Sequence, residues 1–126
     1  MYGIKRDMMG RLAAPASAGE VHVTFTKGLD WVRGDRIAIA TNTYDSTGSE
    51  NNTIEVYDPV TGHAILVSPM RTYHWGAEDS TKGKYGVDIR AEVVLLTRNI
   101  HIQGNQTEDN WGCQILTSDR IEVFSR

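Results

Sequence analysis

Cysteine is almost missing from this chain: Cys113 is the only one in 126 residues. No disulfide can close within the chain, and no metal site built on two thiolates is available. An excess of one charge is missing too, since 13 Lys and Arg stand against 16 Asp and Glu for a formal charge of -3. That balance leaves no basic footprint for nucleic acid or for an anionic membrane surface. Apolar runs stop at about four residues, as at 93–96, far short of the roughly 20 that would span a bilayer. The opening residues, Met1 to Asp7, carry charges where a signal peptide would need an apolar core. Any export signal is therefore expected upstream, and the chain reads as an internal piece of a longer protein. Nowhere do apolar residues hold a 3.6-residue period across three turns, so helix should be minor. No nucleophile elbow, phosphate loop, zinc pattern or dinucleotide fingerprint occurs.

What the chain does have is alternation. Between residues 88 and 104, Ile89, Ala91, Val93 and Leu95 share one face while Asp88, Arg90 and Glu92 share the other. The apolar set then becomes Ile100 and Ile102, so the phase shifts by one residue near Thr97, Arg98 and Asn99. A bulge or corner there keeps both strands facing one interior. Such a strand, corner and strand unit suits a coil of a β-solenoid or the bend of a sandwich. Further strands are expected over 20–25, 36–41, 53–57 and 63–68, with others over 114–118 and 121–124. The pair 53–57 and 63–68 reads as a hairpin around Asp58-Pro59-Val60-Thr61-Gly62, and Trp31-Val32-Arg33-Gly34-Asp35 as a tight turn. Polar loops are expected at 42–52 and 78–86. The length suits one continuous all-β domain, with a β-rich segment over 1–87 that contains the hairpin and both loops, and the first coils over 88–126.

Two N-glycosylation sequons, starting at Asn51 and Asn105, point outside the cytosol, whereas the lone cysteine by itself suits a reducing compartment. In a piece of a longer chain, Cys113 is a candidate for pairing with a cysteine outside it. Glycoside cleavage needs two carboxylates roughly 5–10 Å apart. Candidates are Asp45, Glu50, Glu78, Asp79, Asp88 and Glu92, yet Asp88 and Glu92 would sit roughly 13 Å apart along a strand with Arg90 between them. Arg90 pairing with its neighbours is the favoured reading, and no catalytic residue is assigned. Asp45, Glu50, Asn51 and Asn52 carry oxygens suited to calcium but lack the alternating spacing of a dedicated loop, so no cofactor is expected. His22, His63, His74 and His101 are not at metal-ligand spacing from one another. Tyr73, His74 and Trp75 form an aromatic cluster able to stack on a sugar ring. The competing reading has Trp75 plugging the end of the core and His74 satisfying a backbone carbonyl.

The stretch Gly28-Leu29-Asp30-Trp31-Val32-Arg33-Gly34-Asp35-Arg36-Ile37-Ala38-Ile39-Ala40-Thr41 resembles a recurrent segment of the eight-glycine-domain family of extracellular proteins, which includes fibrocystin, fibrocystin-like protein and hyaluronan-degrading proteins. The likeness runs through Tyr73-His74-Trp75-Gly76, is strongest over 88–104, and reaches Gly112-Cys113-Gln114-Ile115. Arg90-Ala91-Glu92-Val93 and Leu95-Leu96-Thr97-Arg98-Asn99-Ile100 carry most of its specificity. Val94 stands where the family pattern has glycine. The resemblance implies the segment that follows the eight-glycine domain proper and leads into a right-handed parallel β-helix. Asp88, Arg90, Glu92, Arg98 and Asn99 are then motif residues with a structural role. It further implies a non-catalytic structural or interaction module at an extracellular, cell-surface or ciliary location, whose partners are other domains or subunits of the assembly. The alternative is a piece of an ectodomain that binds or depolymerises a polysaccharide such as hyaluronan.

Overall fold

A computed structural model describes residues 5–78 and 86–97. Six strands appear in chain order: β1 (Met9–Arg11), β2 (His22–Thr24), β3 (Arg36–Ile39), β4 (Glu50–Tyr57), β5 (His63–Leu66) and β6 (Glu92–Leu95). A 3-10 turn, Ser46–Gly48, is capped by the Asp45 carboxylate, which accepts from the Thr47 amide at 2.9 Å. The strands form one sheet in the order β1-β6-β3-β4-β5-β2, and every pairing is antiparallel. The two edge strands approach each other beyond their ends. Leu12 bridges Phe25, Ala13 N–H donates to the Thr24 carbonyl at 2.8 Å, and Thr26 N–H to the Arg11 carbonyl at 2.9 Å. The sheet therefore curls into a partly closed barrel, which shields edges that would otherwise invite pairing with another chain.

The all-β expectation holds. The described strands show antiparallel pairing where a parallel β-helix would need stacked parallel strands, because β6 inserts between β1 and β3 instead of starting a new layer. The corner expected at Thr97, Arg98 and Asn99 falls largely outside the described residues, as do the strands expected over 114–118 and 121–124. Just ahead of it, the alternation fails earlier than expected: Ile89 is 56% exposed, while Arg90 and Ala91 are both buried. The cause is local. The Asp88 carboxylate accepts from the Arg90 backbone amide at 3.2 Å and holds a turn ahead of β6, so strand geometry starts only at Glu92.

Leu12, Val23, Phe25, Trp31, Ile37, Ile39, Ile54, Leu66, Met70, Val93 and Leu95 fill the interior. Alternation places Ile37 and Ile39 of β3, and Val93 and Leu95 of β6, on the same inner face. In β4 a register shift between Ile54 and Val56 breaks that rhythm, leaving Val56 half exposed while Tyr57 packs on the core. Phe25 meets Trp31 edge-on at 5.4 Å between ring centres, and Tyr57 leans against both. The Tyr57 hydroxyl donates to the Thr26 carbonyl at 2.7 Å and accepts from the Leu29 amide at 3.2 Å, and burial pushes its pKa up.

The β4–β5 hairpin closes as expected. Asp58 organises it: its carboxylate accepts from the Val60 amide and the Thr61 hydroxyl, and its backbone carbonyl accepts from Gly62 N–H at 2.8 Å. Gly62 has φ +79, and a Cβ there would lie 2.3 Å from the Phe25 carbonyl oxygen. Gly62→Ala is expected to lower stability by at least about 1–2 kcal/mol for the left-handed backbone alone, with the clash adding to it. A thermal unfolding scan showing an unchanged midpoint would contradict that geometry.

Candidate functional site

The Tyr73-His74-Trp75 cluster does not present three aromatic faces to solvent. Tyr73 is 57% exposed, Trp75 is half-buried, and His74 is fully buried. His74 is fixed by its backbone first, pairing with Ala16 through hydrogen bonds of 2.9 Å in both directions. That pairing turns the ring inward, where Nδ1–H donates to the Ala40 carbonyl at 3.0 Å. Nε2 lies 2.9 Å from Glu50 Oε1 and 3.1 Å from the Thr72 hydroxyl. The carbonyl accepts a proton carried on Nδ1, while Nε2 faces a carboxylate and a hydroxyl together. The carbonyl-satisfying role weighed for His74 is the one its geometry shows, and a sugar has no access to this ring.

Glu50 gathers more than the histidine. Oε2 accepts from Arg71 N–H at 2.7 Å, and Oε1 accepts from the Thr72 amide and hydroxyl at 3.2 Å each. Burial pushes the Glu50 carboxyl up, but the Arg71 amide, the His74 ring and the Thr72 donors outweigh it and hold the pKa below the usual carboxylate range. Asn52, two residues on and on the same inner face, donates to the Ser68 carbonyl at 2.8 Å and accepts from the Ser68 amide at 3.2 Å. β4 thus begins with two polar residues facing the interior, and the loop expected over 42–52 ends at Ser49. The oxygens considered for calcium do not converge: Asp45 caps the 3-10 turn, Glu50 and Asn52 point inward, and Asn51 is exposed. Among the described residues, no group of three or more His, Cys, Asp or Glu is arranged to hold a metal ion.

A second polar cluster joins β1 to the approach of β6. Arg90 donates from Nε to Asp88 Oδ1 at 2.9 Å and from Nη2 to Oδ2 at 2.7 Å, a two-pronged pair. The Arg90 guanidinium holds the Asp88 carboxyl well below the usual range. Arg11 adds an ion pair to Asp88 at 3.5 Å and another to Glu92 at 2.9 Å. The pairing expected for Arg90 is present with Asp88, while Glu92 is taken by Arg11 across the sheet. Asn42 ties the cluster to the aromatic segment, accepting from Trp75 N–H at 2.8 Å and donating to the Ile89 carbonyl at 2.6 Å. A groove of about 560 Å³ lies beside it, bordered by Ala13, Thr24, Lys27, His63, Glu78 and Arg90. Its borders come from five separated stretches of chain, so no local motif announces it. Arg98, Asn99, Asn105 and Cys113, with Asp79, His101 and Trp111, lie outside the described residues.

No family model matches the chain. Individual relatives do. Mouse (Mus musculus) fibrocystin-L is 33% identical over 107 residues, covering 83% of this chain and 2% of that protein. A G8 domain-containing protein of Dictyostelium discoideum is 28% identical over 111 residues, covering 86% of this chain and 9% of that protein. Mouse fibrocystin is 30% identical over 93 residues, covering 73% of this chain and 2% of that protein. The chain belongs to the eight-glycine (G8) domain family. It spans less than a tenth of the length of these relatives. None of the described helical residues makes a helix long and apolar enough to cross a membrane.

Proposed function

We propose that this chain is a structural or interaction module of an extracellular, fibrocystin-like protein, non-catalytic in itself. The similarity to fibrocystin-L over 83% of the chain is the observation that carries the reading. The chemistry of the described carboxylates supports it. Asp88 is held by Arg90 and Arg11, and Glu50 by His74, Arg71 and Thr72, so neither is a protonated acid poised beside a free base. The module would then lead into a right-handed parallel β-helix, and neighbouring domains or subunits of a surface or ciliary assembly would be the partners. Protease shaving of intact cells that express the full-length protein tests the location. Release of peptides from residues 5–78 without lysis is expected; release only after lysis would overturn it.

The groove beside His63 and the exposed ring of Tyr73 favour a second reading, an ectodomain fragment that binds a polysaccharide. The test is binding of the full-length protein to hyaluronan and to a mixed glycan array, with Tyr73→Ala and Lys27→Ala as probes. At least about tenfold weaker binding in either variant, roughly 1.4 kcal/mol, would establish this reading. No binding by the unaltered protein would remove it. His74→Ala is unsuitable as a probe, because the ring is part of the interior and its loss would report on folding.

A further inference from the structure

The outer face of the sheet carries one continuous row whose neighbours are set by register. Met9 pairs with Val94, Val94 with Ala38, and Ala38 with Asn51. Each alternates with a buried residue on its own strand, respectively Gly10, Val93, Ile37 and Asn52, so all four side chains leave the core side of the sheet. Met9 is 55% exposed, Asn51 is exposed, and Val94 and Ala38 are half-buried. At about 4.8 Å between neighbouring strands, the row runs roughly 14 Å from Asn51 to Met9. It is an apolar strip with a sequon at one end.

We propose that Asn51 carries an N-linked glycan whose first sugars lie across Ala38, Val94 and Met9. The proposal rests on the extracellular reading above, since the modification needs the secretory lumen. Asn51-Asn52-Thr53 meets the acceptor pattern, with a hydroxyl two residues on and no proline between. Chemically, Nδ2 of Asn51 bonds to C1 of an amino sugar supplied by a lipid-linked diphosphate oligosaccharide. The C1–phosphate bond breaks, the lipid diphosphate leaves with the electron pair, and Nδ2 gives up one proton. Folding tolerates the product: Asn51 faces away from the core, while the inward side of β4 is filled by Glu50 and Asn52 with their partners. The strip is partly open to solvent at Met9, and the apolar faces of sugar rings would cover it.

Peptide mass spectrometry on the full-length protein, purified from eukaryotic cells, tests the site. Enzymatic release of the glycan in isotopically heavy water is expected to leave a labelled aspartate at position 51. An unmodified Asn51 beside a modified Asn105 would overturn the site while leaving the extracellular reading intact; both asparagines unmodified would overturn both. Placement over the strip is tested separately, in an Asn105→Gln background. Release of the glycan from the folded protein is expected to raise binding of an apolar dye about twofold, and Met9→Thr with Val94→Thr should abolish that rise. No rise on release would overturn the placement.

Discussion

Replacing Glu50 with alanine is expected to lower the unfolding free energy by about 3 kcal/mol or more, because several buried donors lose their acceptor at once. The loss is large because one carboxylate serves the amides of Arg71 and Thr72 and the Thr72 hydroxyl, and also meets His74 Nε2. Each donor left without an acceptor in a dry setting costs about 1–3 kcal/mol before relaxation. Glu50→Gln, which keeps the volume and one acceptor oxygen, should lose less. Urea unfolding of the purified protein measures both, and a loss below about 1 kcal/mol in the alanine variant would show that the network does not hold this end of the barrel. The same site has a pH signature. The Glu50 pKa is depressed in the folded state, so its stabilisation is fully present above the unfolded carboxylate pKa and disappears as pH falls through the folded one. Acid unfolding curves of the parent and of Glu50→Gln should therefore converge below the ordinary carboxylate range and separate above it.

Phe25→Ala is expected to cost a similar amount, about 3–5 kcal/mol, through the lost transfer energy and the cavity left behind. The ring is fully buried, stands edge-on to Trp31, and belongs to the residue that bridges Leu12 where the sheet closes. Two readouts separate the packing loss from general unfolding. Near-ultraviolet circular dichroism should lose the signal of the Trp31 and Tyr57 rings, and far-ultraviolet dichroism should change little below the melting point. An unaltered near-ultraviolet spectrum would mean that the aromatic trio is not packed as described.

Those two residues also mark the limits of what the chain reveals before it is folded. Phe25, Ile37 and Ile39 are legible because apolar residues at every second position announce a strand with one buried face. The β4–β5 hairpin is legible through Asp58, Pro59 and Gly62. Glu50 and Asn52 were hidden because they occupy inward positions with polar side chains, so the start of β4 looks like loop and the strand pattern emerges only at Ile54. Their partners, His74 and Ser68, lie 24 and 16 residues away, beyond the reach of any local rule. The turn that Asp88 makes with the Arg90 amide overrode the alternation expected from Ile89 onward. β1 went unrecognised at three residues, Met9 to Arg11, too few to show a period. The kinship with fibrocystin was carried by whole stretches around Trp31 and Arg90, which record ancestry more clearly than either polar cluster records chemistry.

The position of β6 between β1 and β3 governs the order in which the barrel can be assembled. Arg11 meets Glu92 across 81 residues of sequence, so during synthesis the first strand has only its contacts with the segment after β2 until β6 has left the ribosome. The β4–β5 hairpin can zip up at once, while the seam that β6 completes must wait for a distant loop closure, the step that makes high-contact-order β proteins slow to fold. Until that strand arrives, the bare edges of β1 and β3 are where a growing chain of this protein would meet a chaperone or a neighbour.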